Sequence, residues 1–171
     1  MSEKVPTRLA LNTAEDMFDK LKWEEARLDE SWDVYDSFNF IVTAHHLYVD
    51  WLKPDSANSS QIARKEALPE EARNVFRALI DVSNGSKHWK MTNKRSLDAQ
   101  VIVRVQEPII GCYYSYFANK PMAYFEFKGY DLSMAELSAF VMKYFEWILN
   151  GEGQEFPAEL TVNLEALRIK A

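Results

Sequence analysis

Through the first 90 residues of the chain, apolar positions recur at helical spacing, and the rhythm changes only after residue 97. "LNTAEDMFDKLKWEEARLDE" predicts a first helix, with Met17, Leu21 and Leu28 near one stripe and Thr13 with Asp16 as a capping box. "SWDVYDSFNFIVTAHHLYVDWL" predicts a second, stopped by Pro54. "DSANSS" reads as loop. "LPEEARNVFRALIDVSN" predicts a third helix, with Pro69 and the acidic residues in first-turn positions that suit a missing N–H and a negative charge. "DAQVIVRVQEP" then alternates and is rich in β-branched residues, and "CYYSYFANKPMAYFEFKGY" reads as two more strands around a turn at Asn119–Pro121. "LSMAELSAFVMKYFEWIL" returns to helix, boxed by Ser133 and Glu136 and stopped by Gly151. The expectation is one α+β domain over residues 1–171: a helical bundle at 13–90, antiparallel strands at 97–128, a helix at 132–150 and a tail from 151 that reads as a short strand or helix.

Two of these helices carry polar residues where a simple amphipathic helix would be dry. On the second, Asn39, Thr43, His46 and Asp50 are spaced four, three, four and fall within about 60° of one another. Tyr35, Phe38, Val42 and Val49 flank this line on one side, and Phe40, Leu47 and Trp51 on the other. On the third, Asn74, Arg77, Asp81, Asn84 and His88 share a face if the helix continues through Gly85, a residue favoured just past a helix end. Buried polar groups without partners cost about 1–3 kcal/mol each, so such seams must satisfy one another or stay wet. The two lines are expected to face each other, with Arg77, Asp81, Asn84 and His88 opposite Asp50, His46, Thr43 and Asn39. A facing pair of this kind serves either as a structural network that fixes helix register or as a catalytic or ligand site. His45 lies about 100° from His46 and reads as a satisfied core histidine.

Composition narrows the function classes. The chain has 171 residues, 47% hydrophobic and 13% aromatic, enough for a packed core. No apolar run approaches the ~18 residues of a membrane span, so no membrane association is expected. A single cysteine, Cys112, and the absence of a charged-then-apolar leader fit a reducing cytoplasm. A net charge of −6 weighs against a general nucleic-acid binder, though Arg64, Lys65, Arg73, Arg77, Lys87, Lys90, Lys94 and Arg95 make residues 62–95 locally basic. His45, His46, His88, Asp50 and Asp81 are metal-donor types, but without H-E-x-x-H or paired cysteines no metal is expected. The five glycines form no phosphate loop, Cys112 has no histidine near it in sequence, and no cofactor is expected. The aromatic strands lack interleaved basic residues and read as packing rather than as a base-stacking platform.

Asn84 and His88 stand as N-x-x-x-H at the end of a bundle helix. This resembles the HEPN superfamily, helical domains often found as metal-independent ribonucleases in bacterial toxin and antiviral systems. It also resembles a group of uncharacterised bacterial proteins that pair a "TA-x-H-L" helix, here "TAHHLYVDW", with a helix ending like "NGSKH". The resemblance covers about residues 31–90 and leaves the sheet and last helix unexplained. The family commonly shows Arg-Asn-x-x-x-His; here Ser83 precedes Asn84, and the nearest preceding arginine is Arg77. The resemblance implies RNA cleavage without metal, with His88 as general acid or base, Asn84 orienting it or the substrate, and Arg77 or Lys87 on the phosphate. Asp81, Asn39, Thr43, His46 and Asp50 form the supporting network in that reading. It also implies a homodimer. The alternative is a catalytically inactive relative, a binding or oligomerisation module whose partner is a protein or a small nucleotide.

Overall fold

The computed structural model describes residues 11–87, 101–106 and 122–160, and over these the chain is an α+β protein, mainly helical, with a small antiparallel sheet. Helix α1 (Ala14–Ser31) starts where the sequence marks it. The Thr13 hydroxyl accepts the Asp16 N–H at 3.1 Å, while the Asp16 carboxylate takes the Thr13 N–H at 3.0 Å and the Asn12 N–H at 2.7 Å. The helix ends at Trp32 in the left-handed conformation, and Asp33 then caps α2 (Val34–His46) by accepting the Tyr35 N–H at 2.7 Å. Before Pro54, α2 widens into a π-helical turn, Leu47–Trp51, which the Leu52 N–H closes on the Leu47 carbonyl at 3.1 Å.

Helix α3 (Ser59–Glu66) was not expected from periodicity. It has eight residues, too few and too polar to show a stripe, and its signal is the capping box of Asn58 and Gln61. Helix α4 (Glu70–Lys87) runs through Gly85 instead of stopping there. Its contacts with α2 and the π turn are antiparallel, because His45 meets Ser83 while Tyr48 meets Phe76.

The sheet has the order β1-β2-β3. Strand β1 (Ile102–Gln106) pairs antiparallel with β2 (Met122–Phe127), Ile102 opposite Glu126 and Gln106 opposite Met122. Strand β3 (Tyr130–Ser133) returns from β2 through Lys128 and Gly129, whose φ values of 43° and 81° make the primed turn that suits strand twist. The alternation did not predict this third strand; the turn expected at Asn119–Pro121 lies outside the described residues. Ser133 then caps α5 (Met134–Asn150) in the expected box with Glu136, and the chain leaves the helix at Gly151.

One apolar cluster joins these elements. Leu21 and Leu28 of α1, Phe40 of α2, Phe76 and Leu79 of α4, Leu132 of β3, and Tyr144 and Phe145 of α5 are all buried in it. Strand β2 turns Ala123, Phe125 and Phe127 to this core and Glu126 to solvent, so the sheet is covered on one face by its alternation. Phe76 sits among Tyr48, Phe140, Tyr144 and Phe145, with ring centroids 4.4–6.2 Å away. No helix among the described residues is long and apolar enough to cross a membrane.

Candidate functional site

Helix α2 packs against α1 on one side and α4 on the other, and this divides its polar line. Thr43 is buried toward α1, where the Lys20 ammonium donates to its hydroxyl oxygen at 2.5 Å and to the Glu24 carboxylate at 2.5 Å. The contact with α4 falls to His45, buried, with Nδ1 2.8 Å from the Ser83 hydroxyl. His45 is thus a satisfied interior histidine, and its partner Ser83 lies beside the expected seam instead of on it. Asn39 is exposed.

His46 and Asp50 stay together at the rim. Nδ1 of His46 is 2.7 Å from Oδ2 of Asp50, and the side chains are 35% and 51% exposed. The His46 ring lies parallel to that of His45, centroids 5.1 Å apart. With Nδ1 held by the carboxylate, Nε2 is left as the second ring nitrogen.

On α4 the expected residues separate as well. Arg77 is exposed, and its Nη1 donates to Glu70 at 2.5 Å and Asn74 at 3.1 Å on its own helix. Asp81 and Asn84 are half-buried. Lys87 closes α4, but its side chain, and all of His88, lie outside the described residues, as does Cys112. Thr43, Asn39 and Arg77 therefore do not converge with His46 and Asp50. The reason is geometric: a stripe about 60° wide on a helix clamped from two sides is shared between two neighbours, and the π turn changes the angular step just after His46. Among the described residues no group of three or more His, Cys, Asp or Glu side chains is placed to hold a metal ion.

A second feature was not read from the sequence. Where the π turn meets α3 and the start of α4, a cleft of about 430 Å³ opens between Tyr48, Lys53, Lys65, Glu66 and Arg73. Lys65 staples the end of the π turn, its ammonium donating to the Tyr48 and Leu52 carbonyls at 2.7 Å each, while the Ser56 hydroxyl donates to the Trp51 carbonyl at 2.6 Å. Burial pulls the Lys65 pKa below its ordinary value, opposed by the carboxylates of Glu66 and Asp50. Burial likewise raises the Tyr48 phenol, against the pull of Arg73 and Arg77. Arg73 donates from Nη2 to the Glu66 carbonyl at 2.7 Å. The signal available in the sequence was the basic stretch from residue 62, which has its clefted part here.

Comparison with family models, curated proteins and solved structures finds no match to this chain.

Proposed function

We propose that the chain is a HEPN-like helical module that acts by binding a partner and does not cleave RNA. The observation that carries this reading is the position of Arg77. Metal-independent cleavage of a phosphodiester needs a fixed positive charge on the phosphate beside the acid–base group. Arg77 instead reaches back to Glu70 and Asn74 on its own helix. The His45–Ser83 and Lys20–Thr43 hydrogen bonds further support the reading, because they commit Thr43 of the expected seam, and polar side chains beside it, to joining helices. The net charge of −6 disfavours a polyanionic substrate. In this reading the partner is a protein, a second copy of the chain, or a small nucleotide.

A second reading keeps RNA cleavage, and one observation favours it: the half-exposed His46 held by Asp50 at 2.7 Å. His88 would supply the remaining acid–base chemistry, with Asn84 orienting it or the substrate and Lys87 on the phosphate. Incubation of purified protein with mixed single-stranded and structured RNA in excess chelator separates the two. His46→Ala and His88→Ala serve as controls, and thermal melting checks that each is folded. Intact RNA after incubation with folded wild-type protein is the expected result. Cleavage that disappears in either folded variant would establish the nuclease reading in its place.

A further inference from the structure

We propose that the cleft beneath the π turn is a binding site for a small phosphate monoester, gripped by Lys53, Lys65 and Arg73. The inference rests on the binding reading above and names a ligand class for it.

Charge balance comes first. The cleft is lined by these three cations and a single acid, Glu66, in a protein whose net charge is −6. Five cations elsewhere are ion-paired: Lys20 with Glu24, Lys22 with Asp19, Arg27 with Asp36, Arg77 with Glu70 and Arg104 with Asp131. Among the described residues, no carboxylate lies within ion-pair distance of Lys53, Lys65 or Arg73. Three cations without an ion-pair partner among the described residues thus meet one acid in a concavity.

Two of the three donors, Lys65 and Arg73, are also held in place before any ligand arrives. Two carbonyls at 2.7 Å fix the Lys65 ammonium, which lies 4.6 Å from the centre of the Tyr48 ring, and its third N–H remains to be used. The Glu66 carbonyl takes one Nη2 hydrogen of Arg73 and leaves the rest of the guanidinium fork. Carbonyl oxygens orient these groups without neutralising them, so little ordering remains to oppose binding. The Tyr48 wall is rigid, stacked on Phe76 at 4.4 Å. Behind it the Tyr144 hydroxyl is fully buried with no hydrogen-bond partner among the described residues.

The chemistry selects the ligand. A planar arginine fork beside lysine point charges matches a tetrahedral oxyanion with several acceptor oxygens. A volume of about 430 Å³ exceeds what one phosphate fills and lies in the small-ligand range, and Leu52 and Ile62 offer apolar wall to a short carbon body. Single-stranded nucleic acid calls instead for a long basic track with stacking faces, whereas here the Tyr48 ring is already stacked on Phe76 and covered by Lys65.

The test is calorimetric titration of ribose 5-phosphate into the full chain at constant ionic strength, with ribose as the uncharged control. Saturable binding of the phosphate ester and none of ribose is expected. Arg73→Gln and Lys53→Gln should each weaken it about tenfold, and Glu66→Gln should tighten it, because the one acid lining the cleft is gone. Lys65 is left intact, since it also staples the π turn, and melting curves confirm that each variant is folded. No saturable binding, equal binding of ribose, or unchanged affinity in both Arg73→Gln and Glu66→Gln would overturn the proposal. The RNA assay fails or succeeds separately: cleavage there with phosphate binding here would remove the binding-only reading and leave the cleft standing.

Discussion

A methyl group added at Gly151 would sit 2.5 Å from the Trp147 carbonyl oxygen and 2.8 Å from its indole Cδ1. Neither the last turn of α5 nor the ring can yield that much, so Gly151→Ala is expected to lower stability by about 1–3 kcal/mol. Gly85 is the opposite case: it lies inside α4, and nothing lies within 4 Å of an added Cβ. Gly85→Ala is expected to raise stability by about 0.5–1 kcal/mol. Urea denaturation of the two variants beside wild type reads both signs. The same scale shows what a sequence can reveal of single residues. Thr13, Asp16, Ser133 and Glu136 were legible because a capping box is local and its members are neighbours in the chain. Ser83 was not, because its importance comes from His45, 38 residues away, and only packing brings them together.

At the scale of elements, α3 works as a clamp. Arg64, buried, donates from Nε to the Ile148 carbonyl at 2.8 Å, from Nη1 to that of Gly151 at 2.6 Å and from Nη2 to that of Leu149 at 3.4 Å. These carbonyls belong to the end of α5, where no intrahelical N–H remains, and the positive charge opposes the negative end of the helix dipole. Arg64→Met is expected to cost on the order of 3 kcal/mol by urea denaturation. Arg64→Lys should recover little, because one ammonium cannot span oxygens that a planar fork reaches together. A prediction of pH dependence attaches to α1. Backbone N–H groups of Asn12 and Thr13 hold the Asp16 carboxyl below its ordinary value of 3.8. A depressed carboxylate contributes stability above its unfolded pKa and loses it as pH falls through the folded value. Wild type should therefore melt above Asp16→Asn at pH 6, and the gap should close as the pH drops below 3.8; a gap unchanged in acid would contradict it. Helix α1 was readable in advance, whereas α3 was not, since eight mostly polar residues carry too little periodicity.

For the whole molecule, the joining of bundle and sheet is the decisive feature. Leu132 of β3 and Phe125 of β2 share one apolar cluster with Phe40, Phe76 and Phe145 of the helices. A shared core predicts one cooperative unfolding transition, with tryptophan fluorescence and far-ultraviolet circular dichroism giving the same midpoint. Two separated midpoints would mean that the sheet and bundle unfold apart. The fold class was legible because a change from helical spacing to alternation survives any detail of packing. The candidate site was legible only in part. Its residues could be read as polar positions on two helices, but which neighbour each one met depended on α2 lying between two helices and on the π turn after His46.

The claim that the polar contact between α2 and α4 is committed to holding the bundle is tested most directly by a double-mutant cycle at His45 and Ser83. The stabilities of wild type, His45→Ala, Ser83→Ala and the double variant would be measured by urea denaturation. Ser83→Ala alone is expected to cost about 1–3 kcal/mol, and the cycle to show a coupling of about 1 kcal/mol or more between the two side chains. A near-neutral Ser83→Ala, with the two substitutions additive within about 0.5 kcal/mol, would contradict it and return this contact to the search for chemistry.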